Sequence, residues 1–260
     1  MKWMSFVKGV ALRNPFDIFE LEVLQFFIRN SPALLNLPLR PDSIWCRVGH
    51  MIGEKYPFHP MLDGRAQDAA HKFILDAMWE MTMADLVMQD VPRPRMDTAQ
   101  KVNAERSLNP RGAKTFDQLL KEELHGGLEA MSPHIRNALQ DLALVFGIDA
   151  KHTDLTPEAF RPVINLIREA VTQNSDQAAI PSLRVRSALH AAIRLDDNRP
   201  FRENDFPDLD HSSVAVAYCD VFLTERSFGD LLGRSFVKNV SRAPCVSATS
   251  PEAALAALDE

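Results

Sequence analysis

The sequence predicts a helix-rich α/β protein, with a small parallel sheet formed largely by the C-terminal part and covered by many helices. Three observations carry that expectation. Apolar residues recur at helical spacing, with capping residues ahead of them, over most of the 260 residues. Only the last fifth changes character, alternating strand-like and helix-like runs. The composition, 46% hydrophobic and 25% charged, is that of an ordinary globular chain with material for a sizeable core.

Taken in order, Phe16 to Ile28 crowds apolar residues at nearly every position, which suits a helix buried on most sides or a helix with an adjoining strand. Asn30-Ser31-Pro32 ends it. Past a loop with Pro38, Pro41, Pro57 and Pro60, residues 66–88 place Phe73, Ala77, Met81, Ala84 and Met88 at helical spacing. Met78, Met81, Met83 and Met88 suit a core or a partner surface. Pro92 and Pro94 close that helix, and the polar stretch to Lys114 reads as an exposed loop or linker.

Three further helices carry start signals with a mechanism. Thr115-Phe116-Asp117-Gln118 fits the capping box, in which two side chains satisfy free amides of the first turn. Ser132-Pro133 and Thr156-Pro157 each put a capping oxygen ahead of a proline whose missing N–H costs nothing there. The first of these runs through Ile135, Leu139, Leu142 and Phe146 to Gly147, and the second through Phe160, Ile164, Ile167 and Val171. Leu183 to Leu195 forms another amphipathic helix. Then Val221 to Thr224 and Cys245 to Ser247 read as short strands, with a helix over 228–233 between them and a last helix capped by Ser250-Pro251-Glu252. This order is a βαβ unit, which demands parallel pairing. The chain divides into a helical N-terminal part, 1–110, and a helical segment leading into the sheet, 111–260, either as two parts or as one continuous domain.

The net charge of −6 gives no general pull toward nucleic acid, so any polyanion site must be local. The longest apolar stretch, 142–148, is far short of the roughly 18 residues of a spanning helix, and Lys8 interrupts a secretory leader. No membrane association and a cytoplasmic location are expected. Cys46, Cys219 and Cys245 include no C-x-x-C pair and read as buried structural thiols. There is no His-Glu-x-x-His, P-loop, Gly-x-Gly-x-x-Gly or serine nucleophile elbow. Arg184 and His190 have the Arg-x5-His spacing of all-helical HEPN ribonucleases, but Arg65 and His71 repeat it by chance.

One stretch carries chemistry. Pro207-Asp208 reads as a turn and cap, followed by a helix from Leu209 to Ala217, then Asp220, then a buried strand ending at Thr224-Glu225. Ligands of open α/β sheets sit at the carboxyl ends of the strands. Carboxylates gathered at such a rim repel one another unless a hard cation, Mg²⁺ or Mn²⁺, neutralises them. The expected ligands are Asp208, Asp220 and Glu225, with His211 beside them. Each has a plainer reading: Asp208 as a cap worth about 1 kcal/mol, Asp220 as a turn acid, Glu225 as a solvated charge, His211 as a polar helix residue. Asp76 and Glu80, one turn apart, read as a solvated face. Arg184, Arg186, Arg194, Arg199 and Arg202 precede the acids, and Arg226, Arg234, Lys238 and Arg242 follow. They form either the cationic rim a phosphodiester needs or a chance grouping on helix surfaces.

Asn-Asp-x-x-Asp-x-x-His from Asn204, Tyr218-Cys219-Asp220 and Thr224-Glu225-Arg226-Ser227, with Asp208 standing 16 residues before Thr224, resemble the C-terminal half of PIN-like nuclease domains of bacteria. The resemblance covers roughly residues 182–258. It implies metal-dependent phosphodiester hydrolysis, with RNA as substrate and Mg²⁺ or Mn²⁺ held by Asp208, Asp220 and Glu225. Thr224, His211, Arg226 and Arg199 would support the cation or contact the substrate. The family's first strand ends in an Asp, whereas residues 1–30 offer only Asp17 with no strand pattern before it; Glu80 or Asp85 would be the helix-borne acid. The strand-end acid is usually Asp, often at the position of Arg226, and Glu225 takes that place here. Another class of function therefore stands beside the nuclease: a non-catalytic interaction protein, or an incomplete PIN-like copy without the first-strand acid.

Overall fold

A computed structural model describes residues 10–30, 44–47, 98–108, 112, 114–145, 157–173, 180–241 and 245–258. The chain divides into two units, residues 1–14 with 40–96 and residues 15–39 with 97–260. In the first unit, β1 (Val10–Leu12) pairs antiparallel with β2 (Trp45–Arg47), Ala11 opposite Cys46. The Arg13 N–H continues the ladder to the Ile44 carbonyl at 3.0 Å. The helix expected over 66–88, with Asp76, Glu80, Asp85 and its methionines, lies outside the described residues.

The second unit opens with α1 (Pro15–Asn30), which buries Ile18, Phe19, Val23 and Phe26 and packs among elements C-terminal to it. A helix, α2 (Thr98–Leu108), occupies the stretch expected to be a loop. It buries only Ala99, so no apolar stripe announces it. Its polar side chains hold a distant segment instead. Asn103 donates to the Phe201 carbonyl at 2.8 Å and accepts from the Phe201 N–H at 2.9 Å, and Arg106 donates to the carbonyls of Asp196 and Arg199 at 2.7 Å.

Helix α3 (Phe116–Ala130) begins with the expected capping box: the Thr115 N–H donates to Gln118 Oε1 at 2.9 Å, and the Gln118 N–H to Thr115 Oγ1 at 3.4 Å. Helices α4 (Ser132–Val145) and α5 (Pro157–Gln173) follow. The centre of the unit is α6 (Pro181–Leu195), nine of whose residues are buried. It packs most extensively on α3 and on α7 (Asp205–Tyr218), so small residues such as Ala188, Ala191 and Ala192 let the helices approach closely.

Beyond α7 the chain forms β3 (Val221–Leu223), α8 (Arg226–Gly233), a further helix α9 (Ser235–Ser241), β4 (Val246–Ala248) and α10 (Pro251–Leu258). β3 and β4 pair in parallel, Val221 opposite Val246 and Leu223 opposite Ala248, as the βαβ order requires. Ser250 caps α10, accepting from the Ala253 N–H at 3.2 Å. Within the described residues the second unit is thus a helical assembly carrying a two-stranded parallel sheet, and no described helix is long and apolar enough to cross a membrane.

Candidate functional site

The carboxyl ends of β3 and β4 form a rim built by three features of the sequence. The ladder runs one bond beyond the strand, with the Thr224 N–H donating to the Ala248 carbonyl at 2.9 Å, so Thr224-Glu225 leaves the sheet beside Thr249. Glu225 then occupies the N-cap position of α8, where its side chain makes no capping bond and instead accepts from the Ser227 hydroxyl. Gly229 brings α8 close to both strand ends, because a Cβ at this position would collide with Thr249 Cγ2 and lie 3.8 Å from Thr224 Cγ2.

Helix α7 delivers Asp208 to the same neighbourhood, by a start that differs from the expected one. Its N-cap is Asn204, so Asp208 lies inside the first turns and is not the cap. Pro207 is accommodated because the first turn leaves its N–H groups without helical partners. The residue that secures this start is Asp205, which is 4% exposed. Its two oxygens accept from the Arg199 guanidinium at 3.1 Å and from the Arg202 N–H at 2.8 Å. Arg199 also stacks over the Phe228 ring at 5.7 Å, so it holds α7 and α8 together rather than facing a substrate.

Partial burial pushes the Asp208 carboxyl above its ordinary range; the charges of Glu225 and then Asp205 push the same way, and His211 pulls it back. Asp208, Glu225, Asp205 and His211 therefore share one electrostatic neighbourhood at the end of β3. Asp220 does not join it. That acid is exposed ahead of β3, where its carbonyl accepts from the Val246 N–H at 2.8 Å and its charge falls on Cys219 and Cys245. A strand rises about 3.3 Å per residue, so Asp220 and Glu225 stand at opposite ends of β3, and the expected three-acid convergence becomes a pair, Asp208 with Glu225. Asp17 lies in the first turn of α1 and follows no strand of the C-terminal sheet. Among the described residues, no group of three or more His, Cys, Asp or Glu side chains is arranged to hold a metal ion.

The cationic rim is also different from its sequence image. Arg186 pairs with Asp210 at 2.8 Å, Arg194 with Glu122 and Glu123, Arg199 with Asp205, and Arg234 with Asp196 at 3.4 Å, while Arg184 donates to the Val171 carbonyl at 3.0 Å. Five arginines of the group are thereby engaged in the fold. Arg226 and Arg202 are exposed, Arg226 directly after Glu225.

A second polar centre escaped the sequence reading. Glu22, in the middle of α1 and 3% exposed, accepts from the Ser182 N–H at 2.9 Å, the Ser182 hydroxyl at 2.5 Å and the Tyr218 hydroxyl at 2.5 Å. Helix α6 has no side-chain cap of its own, Ile180 being its N-cap, and Glu22 supplies one from another helix. Burial drives the Glu22 carboxyl up to about 7 against these donors, and burial beside Glu22 pushes the Tyr218 hydroxyl up as well. No sequence signal links residues 160 and 196 positions apart.

Compared with protein-family models, curated proteins and solved structures, the chain matches none. What the fold and rim define is a class: a helix-rich chain with a parallel strand pair and an acid pair at its carboxyl end.

Proposed function

We propose that residues 182–258 form a PIN-like unit and that the protein hydrolyses phosphodiester bonds of RNA with Mg²⁺ or Mn²⁺ held by Asp208 and Glu225. One observation carries this reading: Asp208 is held partly buried in the field of Glu225 and Asp205, a repulsion that a cation would relieve. The donors are hard oxygens, and Mg²⁺ is commonly bound through one or two carboxylates together with substrate phosphates, so a pair is a workable set. A bound cation would supply positive charge to phosphate oxygens and lower the pKa of water. The chain's own contributions are the two carboxylates, the position fixed by Asp205 and Gly229, His211 beside Asp208, and the exposed Arg226 as the contact for a phosphate. Asp220, at the other end of β3, and Arg199, bound to Asp205, take structural places.

A second reading, a non-catalytic interaction protein or incomplete PIN-like copy, is favoured by Asp17 lying in the first turn of α1 and by the engaged arginines. One series of measurements separates the two. Mn²⁺ should raise the melting temperature by mass action, and Asp208→Asn and Glu225→Gln should each abolish the rise, while Asp220→Asn keeps it. A mixed-sequence single-stranded RNA should be cleaved with Mn²⁺ by the parent, Asp220→Asn and Asp17→Asn proteins but not by Asp208→Asn. A Mn²⁺ shift without cleavage favours the incomplete copy. No shift in the parent overturns the cation pair.

A further inference from the structure

We propose that a cleft between α1, α6 and α7 binds one small apolar α-amino acid as its zwitterion, at a site separate from the acid rim. The cleft holds about 290 Å³ of space, its open side included. That is at the small end of the roughly 300–1,000 Å³ of ligand clefts, so it suits a single amino acid rather than a peptide or a nucleotide. Its apolar wall is built by Phe19, Leu183 and Met131, the last from the turn between α3 and α4. Phe16 joins them as an aromatic side chain left 42% exposed among the described residues. Such a wall takes an aliphatic or thioether side chain out of water. Asp210, which also lines the cleft, stands two positions beyond Asp208 on α7. It is therefore turned about 200° around that helix, away from the rim.

The polar lining decides what else the ligand must offer. Ser182 and Arg186 stand one turn apart on α6, and Asp210 and Ser213 one turn apart on α7. Ser182 Oγ gives its hydrogen to Glu22 at 2.5 Å, and Ser213 Oγ gives its own to the Asp210 carbonyl at 2.7 Å. Toward a ligand both hydroxyls are thus acceptors. Arg186 uses only Nε, which donates to Asp210 Oδ1 at 2.8 Å. Among the described residues its two terminal nitrogens have no partner, and neither does Asp210 Oδ2. Arg194, by contrast, is closed by two carboxylates. The cleft therefore presents the N–H donors of one cation and three acceptor oxygens, one of them charged. A carboxylate matches the Arg186 nitrogens, and an ammonium with three N–H donors matches Ser182, Ser213 and Asp210. The ion pair selects the combination: a lone anion meets the charge of Asp210 and a lone cation that of Arg186, whereas a zwitterion brings a partner to each.

The test titrates the full chain near neutral pH, by calorimetry, with L-leucine, L-methionine, glycine, 4-methylpentanoate, which lacks the ammonium, and 3-methylbutylamine, which lacks the carboxylate. Leucine and methionine should bind at one site, and each of the other three more weakly by about tenfold or more. Binding of either single-charge probe as tight as leucine would overturn the zwitterion, equal binding of glycine would overturn the apolar wall, and no binding of any probe at millimolar concentration would overturn the site. Arg186→Gln and Asp210→Asn should each weaken leucine by about tenfold or more, since each removes a charged partner. Unchanged affinity in either variant would count against the assignment. Photo-leucine, a diazirine analogue that keeps both charged groups, locates the site even if neither variant folds. After irradiation its label should map to peptides that contain Phe16 and Phe19, Met131 or Leu183, and excess leucine should remove it. Label confined to other peptides would overturn the proposal.

Discussion

Glu22 and Glu123 approach the same helix, α6, and end in opposite electrostatic states. Glu22 meets its first turn and finds only neutral donors, an N–H and two hydroxyls, so burial wins and the carboxyl titrates near 7. Glu123 meets α6 farther along, with a side chain 15% exposed. It bonds the Arg194 guanidinium and lies 2.7 Å from His190 Nδ1. Burial pushes Glu123 up too, but His190 and Arg194 overturn it and hold the carboxyl below its ordinary range. Hydrogen bonds from neutral groups therefore soften the cost of a buried charge, whereas His190 and the Arg194 guanidinium together reverse its sign. The same rule bears on the rim: Asp208 is raised like Glu22, by burial first and then by Glu225 and Asp205, which outweigh His211.

The largest expected effect comes from making the second carboxylate resemble the first. Arg194→Met removes the guanidinium from Glu123 and leaves Glu122 with Lys114 alone, at 2.6 Å. Breaking a mostly buried pair from one side costs about 3 kcal/mol. Urea denaturation at pH 7 should show that loss, and a loss below about 0.5 kcal/mol would mean the bridge is only a surface pair.

Next comes the pH dependence of Glu22. Its folded carboxyl titrates near 7 and its ordinary value is 4.5, so the folded state holds this proton more tightly than the unfolded state. Stability from this group is therefore complete below 4.5, declines as pH rises from 4.5 through about 7, and is level above, a span of roughly 3 kcal/mol. Glu22→Gln should flatten the decline in a series of unfolding curves from pH 4 to 8. Glu123 runs the other way, contributing stability above its ordinary pKa that is lost as pH falls through its lowered one. A slope unchanged by Glu22→Gln would assign the decline to another group.

These contrasts mark what the sequence discloses. The capping box at Thr115 and Gln118 and the parallel β3–β4 pair are local patterns, complete within a few residues or within one βαβ unit, and both are legible. Helix α2 is not, because its contribution is made by Asn103 and Arg106 on backbone 90 to 98 positions away. The arginines between 184 and 202 look like a free cationic face when only their spacing is seen. Their partners, among them Glu123 and Asp210, are brought in by packing. At the rim, Asp208 and Glu225 were visible as acids on neighbouring elements. The separation of Asp220 from them depends on which end of a three-residue strand each occupies.

The smallest expected effect sharpens the contrast between core and rim. Gly229 sits within α8, where alanine is favoured over glycine by roughly 0.5–1 kcal/mol, yet its Cβ would strike the Thr249 methyl. Thr249 is exposed, so its side chain can turn away at the cost of its rotamer, unlike a packed core residue. Gly229→Ala should therefore destabilise the chain by about 1 kcal/mol or less. Thr249→Ser removes the methyl while keeping the hydroxyl, and in that background the same glycine change should become neutral or stabilising. The difference between the two backgrounds, read as a coupling energy from four unfolding curves, measures how tightly α8 is pressed against the ends of β3 and β4. Zero coupling would place α8 farther from the strand ends than the geometry of Gly229 requires, and with it the N-cap position that presents Glu225.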